Sequence, residues 1–150
     1  MHQFKAKQFL PISMQEAWDF FSSPKNLSKI TPPEMEFKIL SQVPESDIYN
    51  GLLIDYRVKP LLGIPMKWRT EICEVSTNEY FTDRQLVGPY KVWEHTHTFT
   101  SVDGGVLMHD VVNYKLPLGA IGRLLNTLIV RNKISNIFEY RKSVLEQLFP

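Results

Sequence analysis

Apolar and polar residues change rhythm along this chain, and each change predicts a new element. Residues 2 to 10 alternate loosely, as a half-buried strand does. Ser13 stands where it can cap a helix whose Ala17, Trp18, Phe20 and Phe21 form an apolar face. The run SPKNLSKITPP supplies a second short helical turn, closed by Pro32 and Pro33. Between residues 36 and 116 the alternation returns with period two, divided into six strands by turn signals at Tyr49-Asn50-Gly51, Leu62-Gly63, Thr77-Asn78, Gly88-Pro89 and Asp103-Gly104. From Gly119 onward the spacing becomes three and four through Ile121, Leu124, Leu125, Leu128, Ile134, Ile137, Phe138, Arg141, Leu145 and Leu148, the pattern of a long amphipathic helix with room for a break near Gly122. The sum is an α+β domain over residues 1–150: a curved seven-stranded antiparallel sheet wrapped around a long C-terminal helix, with two short helices after the first strand. A sheet bent in this way leaves room between its concave face and the helix.

The strongest local signal is the stretch SVDGGV, because Asp-Gly between two alternating runs is the preferred two-residue type I′ hairpin loop. Closing the hairpin there pairs Val102 with Gly105, Phe99 with Met108, His97 with Asp110, His95 with Val112 and Trp93 with Tyr114, all on one face. The other face carries Glu94, Thr96, Thr98, Thr100, His109, Asn113 and Lys115, so the first is the inner one. His97 and Asp110 are then directly opposed inside the sheet. A three-residue turn through Gly88, Pro89 and Tyr90 sets Asp83 beside His95 and Gln85 beside Trp93, whereas a loop one residue longer or shorter turns Asp83 outward. The same parity points Phe81, Trp68, Thr70, Ile72, Leu52, Ile54, Tyr56 and Val58 inward.

Charge narrows the partners. Lys and Arg number 17 against 16 Asp and Glu, so no global field selects nucleic acid or an anionic membrane. Cys73 is the only cysteine, which excludes an internal disulfide, fits a reducing compartment, and suits a small strand residue. No apolar run reaches the length of a signal core or a membrane span. The expectation is a cytoplasmic protein without stable membrane insertion.

With the element order in view, FTDRQLVGPYKVWEHTHTF, DVVNYKLPLG, the tail ending IFEYRKSVLEQL and the early WDFFSSPKNLSKITPP resemble the SRPBCC superfamily, the START-like and polyketide-cyclase-like proteins. The similarity spans essentially the whole chain and is to the bacterial branch of stand-alone ligand-binding domains. It implies a helix-grip fold with an internal cavity, entered between PLLGIP, GPY and PLGAIG, so that Leu61, Leu62, Ile64, Pro89 and Leu118 would ring the mouth. Members of that superfamily bind lipids, sterols, polyketides or other apolar molecules, and some are cyclases or chaperone regulators. The fold does not choose among these roles.

Several readings of WEHTHTF follow. Two histidines two apart on a strand share a face, and Asp83 or Asp110 could complete a metal site, but the superfamily is not generally metal-dependent and the third ligand hangs on the weaker register. No metal and no cofactor are expected. A His97-Asp110 pair in a dry pocket could act as an acid/base catalyst of the cyclase, dehydratase or isomerase type, since no nucleophile or nucleotide-binding motif accompanies it. The preferred reading is binding of a small lipophilic molecule without chemistry. Tyr56, Trp68, Phe81, Trp93, Tyr114, Ile121, Leu125 and Leu128 would supply its wall, and Asp83, Gln85, His95, His97 and Asp110 its polar end. Against both stands ordinary close packing, in which these groups satisfy one another and leave no space. Leu61, Leu62 and Ile64 could close the mouth, meet a second copy in a homodimer, touch a membrane surface, or pack on the long helix.

Overall fold

The computed structural model describes residues 1–45, 47–60 and 63–150. In chain order the elements are β1 (His2–Leu10), α1 (Met14–Phe21), 3₁₀ turns at Pro24–Ile30 and Pro33–Met35, β2 (Lys38–Ile39), β3 (Leu52–Val58), β4 (Met66–Ser76), β5 (Tyr80–Val87), β6 (Val92–Val102) and β7 (Gly105–Lys115). The tail comprises α2 (Gly119–Leu125), a π-helical turn (Asn126–Val130) and α3 (Arg131–Leu148). The sheet order is β1-β7-β6-β5-β4-β3-β2, antiparallel throughout, so only β1 pairs with a strand distant in sequence. This is the α+β architecture that the alternation predicts. Among the described residues no helix is long and apolar enough to cross a membrane.

Local chemistry explains most of the elements. Ser13 caps α1 by accepting from the Glu16 amide at 3.1 Å, and Ala17 and Trp18 turn into the core. The β6–β7 hairpin has the expected register, with Val102 opposite Gly105 and His97 opposite Asp110. Its turn differs from type I′, because Gly104 (φ 80°) has a positive φ while Asp103 does not. The two-residue loop length sets the pairing all the same. Register shifts between Arg69 and Thr70 and between Ile72 and Glu74 disturb the β4–β5 ladder. Irregularities of this kind increase local twist and bend a strand.

Inward residues gather into two apolar clusters. One includes Leu10, Trp18, Phe81, Phe99, Met108 and Leu145. The other includes Trp68, Tyr90, Val112, Tyr114, Val130 and Ile134. Between them, on the same inner face, stand the buried polar residues His95, His97, Asp110 and Arg141.

The long helix departs from expectation in its first third. The expected face runs from Ile121, Leu125 and Leu128 on to Ile134, but the six residues from Leu128 to Ile134 turn an α-helix by about 600°, roughly 120° short of two full turns, so the two stripes point to different sides. Ile121, Leu125 and Leu128 are exposed, at 62%, 38% and 62%. The buried positions are Gly122, Asn126, Val130 and Ile134, spaced by four, because the π turn widens the helix. Asn126 sits in this turn and accepts from the Tyr114 hydroxyl at 2.6 Å. Gly122 lets the helix approach the end of β7: a Cβ there would lie 2.2 Å from the Pro117 carbonyl oxygen. Gly122→Ala should therefore destabilise the fold by about 1 to 3 kcal/mol, the usual range for forced overpacking. Urea denaturation measures this, and an unchanged midpoint would show that the contact yields freely.

Candidate functional site

Four rings form a column on the inner face: Phe81, His97, His95 and Phe138. Phe81 stacks on His97 at 4.1 Å, His97 on His95 at 3.7 Å, and Phe138 meets His95 edge-on at 5.6 Å. Strand parity places both histidines on this face, and pairing of Asp83 with His95 across β5–β6 brings in the first carboxylate. The register dependent on the Gly88-Pro89 loop thus holds for Asp83.

Two carboxylates flank the histidines at opposite edges. His95 Nε2 donates to Asp110 Oδ1 at 2.8 Å, and His97 Nε2 donates to Asp83 Oδ2 at 2.8 Å. The expected His97-Asp110 pair is therefore crossed: the two oppose each other in the ladder, but His97 Nδ1 lies 3.3 Å from Asp110 Oδ1 without the alignment of a hydrogen bond. The reason is that the stacked rings expose opposite nitrogens to the two sides. Arg141, from α3, places Nη2 3.6 Å from Asp110 Oδ1, while its guanidinium lies over the rings of Phe21 and Phe138.

Burial and nearby charge shift these groups in different directions. For Asp110 burial opposes the charged form, but the Arg141 guanidinium and the two histidines outweigh it and hold the carboxyl well below its usual range. His95 is shifted down, chiefly by burial and then by its neighbour His97, against the pull of Asp110. His97 is equally buried, yet the carboxylates at its two edges overcome desolvation and shift it up. The two neighbouring carboxylates thus favour the protonated form of His97 over that of His95.

A space of about 200 Å³ opens beside this column, between the sheet, α3 and the first 3₁₀ turn. Its lining includes Tyr56, Trp68, Phe81, Asp83, Trp93, His95 and His97, as the parity argument expects. Four other expected wall residues do not border it. Ile121, Leu125 and Leu128 face outward, out of phase with the inner stripe of α3. Tyr114 is buried behind the wall with its hydroxyl on Asn126. Gln85 is not in the lining either: it continues the register toward Trp93 one step past the last β5–β6 pair, Arg84 with Glu94, and its side chain ties down the Gly88-Pro89 loop by donating to the Tyr90 carbonyl and accepting from the Tyr90 amide. Asp110 lies behind the histidines and does not border the space.

The mouth also differs from expectation. Ile64, Pro89 and Leu118 are not in the lining, and Leu61 and Leu62 lie outside the described residues. The lining reaches the surface at Leu27, on the first 3₁₀ turn, which the chain folds back across the sheet. Arg141, Phe138, Ile137 and Ile134 supply the helix side of the wall. The helix periodicity contains all four but gives Arg141 no role. The readable signal was an arginine in an apolar stripe between Phe138 and Leu145, a position that demands a buried anionic partner. Among the described residues four buried side-chain nitrogens have no hydrogen-bond partner: Trp68 Nε1, His97 Nδ1, Arg141 Nε and Arg141 Nη2, the last of which faces Asp110 Oδ1 at 3.6 Å.

No protein-family model and no curated protein matches this chain by sequence. Solved structures do match along its whole length. Protein CV1439 from Chromobacterium violaceum superposes with a TM-score of 0.74 at 15% identity, covering 99% of this chain and 98% of that one. Protein Ms6760 from Mycobacterium smegmatis gives 0.68 at 17%, over 97% and 92%. Ara h 8.0201 gives 0.61 at 15%, over 97% and 98%. These similarities define the class of the fold, a helix-grip domain.

The buried charges generate a stability prediction. Asp110→Ala strands the Arg141 guanidinium inside the core and should cost about 3 to 5 kcal/mol, the range for breaking a buried ion pair. Asp83, whose side chain is 17% exposed, should cost less when truncated, about 1 to 3 kcal/mol. Chemical denaturation of the two variants compares them, and a larger loss for Asp83→Ala would reverse the assignment of Asp110 as the central charge.

Proposed function

We propose that this chain is a member of the SRPBCC superfamily and binds a small lipophilic molecule in the space between its sheet and α3. The observation that carries this reading is an aromatic-walled space of about 200 Å³ beside unpartnered buried donors. Protein interiors are close-packed, with few voids larger than a water molecule. A cavity of roughly 150 Å³ lined by apolar side chains already admits benzene. A guest of one or two rings suits this volume better than an extended acyl chain.

The polar atoms narrow the guest's chemistry further. Trp68 Nε1 and Arg141 Nε are unpaired donors on residues that line the space, so the complement is a molecule with an apolar body and acceptor oxygens, such as a ketone or a carboxylate. Leaving a buried donor unpaired costs about 1 to 3 kcal/mol, and a guest that satisfies it recovers that amount. Helix-grip relatives of otherwise unrelated sequence support ligand binding in general, and the apolar wall is what selects a lipophile here.

Two measurements test the reading. Native mass spectrometry of protein taken from cells, followed by organic extraction, should reveal a co-purifying lipophile. Titration with a ring-sized apolar ketone such as camphor should change tryptophan fluorescence saturably. Trp68 and Trp93 border the space, whereas Trp18 packs edge-on against Phe81 and Phe99 in the neighbouring cluster. The change should survive Trp18→Phe and shrink in Trp93→Phe. A lone apo mass together with no saturable change would favour a filled core over a binding site.

A further inference from the structure

The crossed pairing of the histidines has a second geometric result. Asp110 Oδ1 lies beside the rear nitrogen of each ring, hydrogen-bonded to His95 Nε2 at 2.8 Å and 3.3 Å from His97 Nδ1, from a position behind the cavity wall. That leaves His95 Nδ1 and His97 Nε2 as the forward nitrogens. Both face Asp83 Oδ2, at 4.0 and 2.8 Å. One donor atom from each of Asp83, His95 and His97 lies within 4.8 Å of the other two. All three residues border the cavity and Asp110 does not.

We propose that Asp83, His95 and His97 bind a divalent transition-metal ion at the cavity wall, with coordination positions left open toward the cavity. The donor set is two imidazoles and one carboxylate, which suits zinc or ferrous iron and not the all-oxygen surroundings of calcium or magnesium. Three protein ligands with an open remainder is also the pattern of metal sites that accept an exogenous oxygen. Histidine ligands are generally held by a carboxylate on their other nitrogen, and Asp110 is placed to serve both rings at once. Arg141 balances the charge of that carboxylate from the far side.

Binding exchanges one bond for three. The cation takes the place of the proton that joins His97 Nε2 to Asp83 Oδ2, and the proton leaves to solvent. The rings are now nearly parallel, at 28°, so a cation in the plane of both requires them to pivot about their Cβ–Cγ bonds while keeping Asp110 as the hinge. Both rings border the open space. Nothing in the site depends on the identity of an organic guest, so it can be tested apart from the lipophile reading.

The test is titration of the full-length chain with cobalt(II), read by visible absorption, with zinc as competitor. The expected result is a saturable band at one ion per chain that zinc abolishes. His95→Gln and Asp83→Ala should each remove it, and Asp110→Asn should weaken binding by about 10- to 100-fold, the usual effect of losing the carboxylate behind a histidine ligand. His2→Gln, His109→Gln and Cys73→Ser should leave it unchanged, since those donors lie outside the cluster. Because variants of buried residues can unfold, the wild-type chain supplies its own control: zinc should shift the ring NMR signals of His95 and His97 and leave those of His2 and His109 in place. No saturable band, a band lost in His2→Gln, His109→Gln or Cys73→Ser, or zinc shifts confined to His2 and His109 would overturn the proposal.

Discussion

A buried carboxylate organises this fold. Asp110 is 5% exposed on the innermost face of β7, at the seam between the two apolar clusters. A charge in that position is stable only if opposite charge and hydrogen-bond donors surround it. His95 and His97 answer from β6, and Arg141 answers from α3. The interaction therefore joins two neighbouring strands, β6 and β7, to the helix that the sheet encloses. Apolar packing alone would tolerate a helix that slid or turned along its axis; a buried ion pair does not.

The same requirement shapes the neighbouring space. Holding both histidines upright between two carboxylates fixes Phe81 and Phe138 as the ends of a ring column. Large flat side chains kept in one orientation cannot collapse into the gap beside them. The wall from Tyr56 through Trp68 to Trp93 is stiffened in the same way, with Trp68 stacked on Tyr56 and edge-on to Trp93. Polar order and open volume are thus two results of one arrangement.

The π turn divides the long helix into two regimes. Beyond it, Ile134, Arg141 and Leu145 face the sheet as an amphipathic helix should. Before it, close approach through Gly122 and the Tyr114–Asn126 hydrogen bond hold one side of the helix against β7 and its end, and Ile121, Leu124, Leu125 and Leu128 lie on the exposed side. The six residues from Leu128 to Ile134 turn the helix by about 600°, so the two apolar stripes do not share a face.

Much of this was readable in the sequence because strand parity is a local property. Alternation placed Trp68, Phe81, Trp93, His95, His97 and Asp110 on the inner face, and the Asp-Gly loop set which of them oppose each other even though its backbone is not that of a type I′ turn. What alternation cannot carry is rotation and partner choice. His97 is opposite Asp110 in the ladder yet bonds to Asp83, because ring orientation is decided by three strands and a helix packed together. Gln85 has the right parity but bonds to the backbone at Tyr90, since the nearest acceptor and donor are in its own loop. The helix phase before Asn126, the place where the cavity lining meets the surface and the role of Arg141 were likewise decided only in the tertiary structure, because each depends on contacts between segments far apart in the chain.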